Sequence, residues 1–447
     1  MDRFIAGIPR RSALTGLGAV AAALVLAACS APGGSASAAA TSGPVSTDVG
    51  SGKITLSILV DTPGVAGTEK LGALFTQKYP NVTIKVSGDE FTNLISNASR
   101  TLSSGTVPDI TRTSLGVLVK DNLLQPLDGY AKLYGWDRWP ASQFASSRSN
   151  AKGSERGTGS LYAVGNGYGL TGVYYNKKIL KKIGASVPAT LADFEKSMAK
   201  AKSAGYAGIV TNGKDGGVAY PLQNLAIDYG GVAAISDWTN GKAGASVKTP
   251  AMIKAAQTIQ DWSDAGYLVS GVNSLDTTSA PAEFAKGKSL FYTSGNWQAP
   301  SLQKSMGSDV GFMLFPAQSA SQPQYAMSAS ESLVIPAKAE HKDAAAAFLN
   351  FIQTDSRARQ ITVDDFGLAP GGAAGAETPD AVGVVKDTLT AFAAAVKKDA
   401  VVDFLGNSTT SMSLTLIPQT QLLVTGKTTP AAFAAKLQSE YANQTGQ

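Results

Sequence analysis

The segment from Ile54 to Ile110 alternates two hydrophobic periods, and this limits the fold more than any other feature of the chain. ITLSILV (54–60) has apolar residues at 54, 56, 58 and 60, the period-two pattern of a strand. Leu71, Leu74 and Phe75 then share one helical face that ends at Tyr79-Pro80, and VTIKV reads as a second strand. Leu94, Ile95, Ala98 and Leu102 mark a second helix, Gly105 stops it, and VPDI begins a third strand. A β-α-β-α-β start implies a mainly parallel sheet with helices on both faces, an α/β fold. Ligands on such sheets sit beyond the carboxyl ends of the strands. Those ends carry Asp61-Thr62, Asp89-Glu90 and Arg112-Thr113-Ser114.

The pattern restarts after a glycine-rich crossing, GSLYAVGNGYGLTG (159–172). Thr190 and Asp193 form a capping-box variant ahead of an amphipathic helix. AGIV, a helix around Ile253 to Trp262, and SLFYT (289–293) extend a second α/β unit. GFMLFP (311–316) reads as a crossing back, followed by a helix from Lys342 to Gln353. DDFGLAPGG (364–372) reads as a third crossing before three C-terminal helices. About 395 residues follow Lys53, too many for one core and suited to two domains.

Ahead of this region the sequence has the form of an export leader. Arg10-Arg11 precede the apolar run ending in Leu26-Ala27-Ala28-Cys29, and that run is shorter than the roughly 20 residues needed to span a bilayer. Cys29 is the only cysteine, so the rest of the chain has no disulfide, thiolate nucleophile or cysteine metal site. Residues 31–52 are almost all Ala, Gly, Ser, Thr, Pro and Val, which predicts a flexible tether.

The remaining chemistry is sparse. His341 is the only histidine, lies at a polar helix entrance and is expected to be exposed; no GxSxG supports a triad built on it. Gly287-Lys288-Ser289 lacks the leading glycine of a phosphate loop, since position 282 is Ala. The formal net charge is +5, partly from the leader, and the one lysine cluster (177, 178, 181, 182) reads as a solvated helix face. No nucleic-acid stripe, metal site or cofactor is expected. Trp136, Trp139 and Trp262 are expected to pack; Trp238 is left open.

Five segments, in order, resemble the family 1, maltose-binding-like solute receptors of ABC importers: LGALFTQKYPNVTIKV with VPDI, LTGVYYNKKIL, EFAKGKSLFYTSGNW, and ESLVIPAKAEHKDAAAAFLNFI. Leu26-Ala27-Ala28-Cys29 resembles a bacterial lipoprotein box. The resemblance implies a signal peptide over 1–28 and a lipidated Cys29 with its tether over 29–52. It further implies two α/β lobes, 53–166 plus 312–366 and 167–311 plus 367–447, joined by three hinge crossings around a solute cleft. The implied protein is a monomer held at the outer face of the membrane by its lipid alone, delivering a mono- or short oligosaccharide to an ABC permease.

A sugar needs a flat aromatic under its C–H face and carboxylates, amides or Arg at its rim. The resemblance assigns the platform to Trp297 and a cleft wall to Tyr220. Strand ends offer Asp61, Glu90 and Arg112, with Tyr168 and Asp215 from the other lobe. Thr113 stands where the maltose branch carries an aromatic, which argues against a long maltodextrin. Two alternatives are a secreted glycoside hydrolase, which needs two carboxyls about 5–9.5 Å apart, and the same receptor with a polyamine, metal-chelate or phosphate-ester solute.

Overall fold

The computed structural model describes residues 44–373 and 375–446, so the predicted leader and Cys29 lie outside the described residues. Eleven strands are present among the described residues: β1 (Ile54–Asp61), β2 (Val82–Asp89), β3 (Ile110–Arg112), β4 (Arg148–Ser149), β5 (Ser160–Leu161), β6 (Ala163–Asn176), β7 (Ala207–Val210), β8 (Ser289–Gly295), β9 (Val310–Met313), β10 (Ala326–Val334) and β11 (Val401–Val402). Nine of them join one sheet, whose main path is β2-β1-β3-β10-β6-β8-β7. β1, β2 and β3 pair in parallel, as do β7 and β8. Between these parallel ends, β10 and β6 run antiparallel to their neighbours.

The parallel ends follow from the two hydrophobic periods. Alternate residues Leu56, Ile58 and Val60 of β1 are buried and face Leu71 and Phe75 of helix Val65–Lys78 in one core. Leu94, Ile95, Ala98 and Leu102 form the buried stripe of helix Phe91–Ser103. Thr190 caps helix Leu191–Ser203 as expected: its hydroxyl accepts from the Asp193 amide at 3.2 Å and donates to the Asp193 carboxylate at 2.8 Å. Helices Pro250–Asp264 and Lys342–Thr354 also stand where periodicity placed them. The third strand is shorter than VPDI suggested. Asp109 precedes it and spends its carboxylate on the Ser57 amide and hydroxyl.

Two larger cores are built from different parts of the chain. One collects Leu56, Phe75, Trp136, Leu333, Phe348 and their neighbours; the other collects Val173, Phe194, Ile209, Phe291, Leu416 and Phe433. Smaller clusters complete the packing, one around Leu118 and Tyr162 and one around Tyr174, Phe284 and Phe312. Trp136 and Trp262 are buried, and each indole N–H is satisfied, by Asn350 at 3.0 Å and Glu195 at 2.9 Å. Trp139 stacks on Phe144, and Trp238 is a core residue stacked on Tyr441.

β6 passes from one group to the other. Its first half pairs with β10, and its second half lies between β8 and β9. Residues 311–316 therefore do not cross back. Gly311, Phe312 and Met313 pair with the far half of β6, and Phe315 belongs to the second core. The return is β10, which carries little hydrophobic alternation because Ser328, Ser330 and Ser332 interrupt it. Ala369, within the third predicted crossing, pairs with Tyr168, which also faces Ser330 of β10. β6, β10 and the third predicted crossing thus meet at Tyr168.

Two local expectations change. The tether reading fails for its last residues: Val49 is buried, the Ser46 amide donates to Asp343 at 3.0 Å, and the Asn81 amide donates to the Gly50 and Gly52 carbonyls at 2.9 Å. His341 is half-buried rather than exposed, because its backbone N–H is tied to Asp109 at 3.1 Å. The four lysines at 177, 178, 181 and 182 are exposed as expected.

One buried acid makes stability depend on pH. Asp228, on helix Ala219–Gly230, has an Oδ2 without a hydrogen-bond donor among the described residues, and burial pushes its carboxyl up to about 7. Between about pH 4 and 7 the folded chain holds a proton that the unfolded chain has released, so stability falls across that window and stays lower above it. Asp228→Asn is expected to raise the unfolding free energy by about 1–2 kcal/mol at pH 8, after discounting for solvent screening, and by almost nothing at pH 4. Urea unfolding at the two pH values checks this.

Candidate functional site

At the carboxyl end of β3, Arg112 brings together three separate stretches of sequence. Its Nη1 lies 2.5 Å from Asp61 at the end of β1, and its Nη2 lies 3.3 Å from Glu331 in β10. The guanidinium carbon sits 4.8 Å from the centre of the Phe91 ring. The three charged side chains are only 15–21% exposed and border a narrow crevice lined also by Asn166 and Phe366. Glu331 reaches this position through an irregularity in the ladder. Between the Ser330–Tyr168 and Ser332–Gly165 pairs, Glu331 alone opposes Asn166 and Gly167. Such bulges re-aim side chains.

The aromatic side of the crevice is set by the turn Asn296–Gln298 that follows β8. Asn296 is fully buried and pins this turn to β6. It accepts from the Leu170 amide at 2.9 Å and donates to the Tyr168 carbonyl at 3.1 Å. Trp297 then lies half-buried over Gly169 and Gly295, where a Cβ would come within 3.3 Å and 2.0 Å of its ring. Tyr220 stands edge-on to it at 6.0 Å and Phe404 tilts toward it at 6.4 Å, with 6.1 Å between those two rings. Three aromatics thus enclose one another at the distances of favourable edge-to-face contacts.

Tyr220 links the two sides electrically. Burial pushes its hydroxyl up to about 12, Asp215 adds to the rise, and Arg112 opposes it. Arg112 itself is held firmly protonated: burial works against its charge, but Glu331 and Asp61 outweigh that. Burial raises the Glu331 carboxyl and Asp61 adds to this, while Arg112 pulls the other way. Thr113, Thr293, Ser408 and Thr409 each bury a polar side-chain oxygen with no hydrogen-bond partner among the described residues.

Of the residues expected in the site, Trp297, Tyr220, Asp61, Arg112 and Asp215 come together, and Thr113 follows Arg112 as a buried residue. Tyr168 does not join them. Its hydroxyl donates to the Gln143 carbonyl at 2.6 Å and its ring stacks on Phe392, so it braces the junction of the connecting segments. Glu90 is exposed at the start of helix Phe91–Ser103 and makes no side-chain hydrogen bond or ion pair among the described residues. Glu331, Phe404 and Phe91 were not anticipated. Glu331 opens the ESLVIP segment, whereas Phe404 follows a two-residue strand with no periodic signal.

A hollow of about 430 Å³ elsewhere is lined by Pro44, Asp48, Tyr130, His341 and Asp343. It offers no free aromatic platform, since the Tyr130 hydroxyl is bonded to Asp343 at 2.6 Å. Among the described residues no group of three His, Cys, Asp or Glu side chains is placed to hold a metal, and no helix is long and apolar enough to cross a membrane.

An α/β sheet whose two ends are joined through long antiparallel strands, with a crevice at the strand ends, is the fold of the periplasmic-binding-protein-like sugar receptors. The solute receptor AcbH, described with an exclusive preference for β-D-galactopyranose, superposes with a TM-score of 0.75 at 18% identity, covering 88% of this chain and 100% of that one. A chitin oligosaccharide binding protein gives 0.74 at 20% identity over 88% and 99% of the two chains. Maltose-bound MalE3 of T. maritima gives 0.72 at 17% identity over 87% and 99%. Residues 70–391 match the family of bacterial extracellular solute-binding proteins, and the chain belongs to it. No curated protein matches the chain in sequence.

The seat of Trp297 can be tested without a ligand. The backbone at Gly295 is extended and would admit alanine, but the added methyl would enter the indole ring. Gly295→Ala is expected to lower stability by about 1–3 kcal/mol, the usual range for overpacking. It should also change the near-ultraviolet circular dichroism of the tryptophans, while far-ultraviolet spectra stay constant.

Proposed function

We propose that the protein is an extracellular receptor that captures a mono- or short oligosaccharide in this crevice and hands it to an ABC permease. The observation that carries the reading is the seat of Trp297. A half-buried indole lies on two glycines, is walled by Tyr220 and Phe404, and adjoins a carboxylate–guanidinium cluster. This is the complement of a pyranose, which presents C–H bonds on its face and hydroxyls on its rim. The sugar ligands of similarly folded proteins support it.

The two cores would act as two lobes, with solute drawing them together by hinge bending where β6, β10 and residues 366–370 run side by side. This puts the return strand at β10 instead of 311–316. Catalysis is not part of the proposal. A glycosidase needs an acid free to reach the leaving oxygen, whereas Glu331 and Asp61 both face one guanidinium at 3.3 Å and 2.5 Å. Incubation with oligosaccharides should give no turnover.

Titration calorimetry against galactose, maltose and xylo- and chito-oligosaccharides tests the reading, with Trp297→Ala as the control. Losing the platform should weaken the best binder by about thirtyfold, roughly 2 kcal/mol, with little change in the melting temperature of the empty protein. A melting temperature that drops while affinity survives would make Trp297 a packing residue.

The anchor belongs to the same proposal. Cys29, acylated, would hold the receptor at the outer membrane face through residues 30–43. Cys29→Ala is expected to leave sugar binding intact and release the protein from the membrane fraction, because stable anchoring depends on the acyl chains. Fractionation after a carbonate wash reads the outcome.

A further inference from the structure

We infer that the crevice selects uncharged or amino sugars and rejects uronic acids and sugar phosphates, with Glu331 as a residue that sets this charge filter. The inference rests on the sugar-receptor reading and narrows the class of solute.

Of the side chains that build the site, Arg112 alone is cationic. An anionic sugar would need its guanidinium as a bidentate partner, but both terminal nitrogens already face carboxylates, at 2.5 Å for Asp61 and 3.3 Å for Glu331. One flank is occupied too, by the Phe91 ring at 4.8 Å. Arg156, which approaches from beside Phe404, is paired with Asp403 at 2.9 Å and donates to the Thr239 carbonyl at 2.6 Å.

The balance is negative. Asp61 and Glu331 set two carboxyl groups against the single Arg112 guanidinium, and Asp215 adds a third, whose Oδ2 accepts from the Thr277 backbone amide at 2.7 Å. Its field reaches the aromatic side, where it helps to hold the Tyr220 hydroxyl protonated. In so enclosed a crevice like charges repel strongly, because little water screens them. Neutral hydroxyls suit the same groups well. Ionised carboxylates are pure acceptors with spare lone pairs, and a protonated amine would gain further from them.

Glu331 is built into this arrangement and is not a chance neighbour. It occupies the single β10 position that opposes two residues of β6, and Gly165 and Gly167 flank it on that strand. A Cβ on Gly165 would lie 1.7 Å from the Ser330 hydroxyl and 3.0 Å from the Glu331 carbonyl. The backbone here is shaped around the bulge.

The test uses isosteric probes. The full set is galactose, glucose, glucosamine, and the uronates and uronamides of galactose and glucose, titrated into the protein at pH 7.5. Acid and amide have nearly the same shape, so a steric block rejects both while a charge filter rejects only the acid. The expected result is binding of a neutral or amino sugar, with the uronate at least a hundredfold weaker than its uronamide. Glu331→Gln should narrow that acid-to-amide gap by tenfold or more, and Asp61→Asn provides a second variant should the first fail to fold. A uronate bound as tightly as its uronamide would overturn the charge filter and leave the sugar receptor standing. An acid-to-amide gap unmoved in a folded variant would remove Glu331 from the role. Failure of every sugar in the set and of maltose, xylo- and chito-oligosaccharides, with the protein folded, would bring down the sugar reading and this inference together.

Discussion

The structure depends on one strand. β6 runs 14 residues, gives its first half to β10 and its second to β8 and β9, and so belongs to both halves of the sheet. Its glycines are spaced for contact. A Cβ on Gly167 would meet Leu368 and Thr362, one on Gly169 the Trp297 ring, and one on Gly172 the Phe312 ring and the Met313 carbonyl. Glycine is needed here for close approach, since these positions have ordinary extended backbone. Remove that approach and the third connecting segment, the platform and β9 all lose their seats.

Around this strut the site is assembled from pieces far apart in sequence. The first parallel unit supplies Asp61 and Arg112, the return strand supplies Glu331, and the second unit supplies Trp297, Tyr220 and Asp215, with Phe404 from beyond the last strand. The strand ends place charges with fixed direction, while the Asn296 side chain fixes the turn that carries the indole. Neither half holds both the charged cluster and the aromatic group, so the proposed recognition of a sugar would depend on the relative position of the halves.

The regular elements were legible because burial imposes a period. β1, the two helices after it, the capped helix at Thr190 and helix Pro250–Asp264 each show a clean period of two or about 3.6. β10 shows little hydrophobic period because its serines line the narrow contact with β6, where small size matters more than hydrophobicity, and only its end, ESLV, is legible, through the family resemblance. The apolar GFMLFP reads as a crossing from sequence, although its hydrophobicity reflects burial in the second core. In the site, Trp297 and Arg112 were visible from a motif and from a strand end. Glu331 and Phe404 were not, since a bulge and a loop after a two-residue strand leave no periodic trace. Tyr168 was misplaced for a related reason: neighbouring residues of a strand point to opposite faces, and Gly169, not Tyr168, lies under the indole.

The central claim is that a sugar held between Trp297 and the Arg112 cluster draws the two halves of the molecule together. Small-angle scattering of residues 44–447, with and without a saturating concentration of the sugar that binds best by calorimetry, tests this most directly. A smaller radius of gyration in the bound protein, abolished in Trp297→Ala at the same sugar concentration, is the predicted result. Identical scattering curves for the empty and fully saturated protein would contradict it.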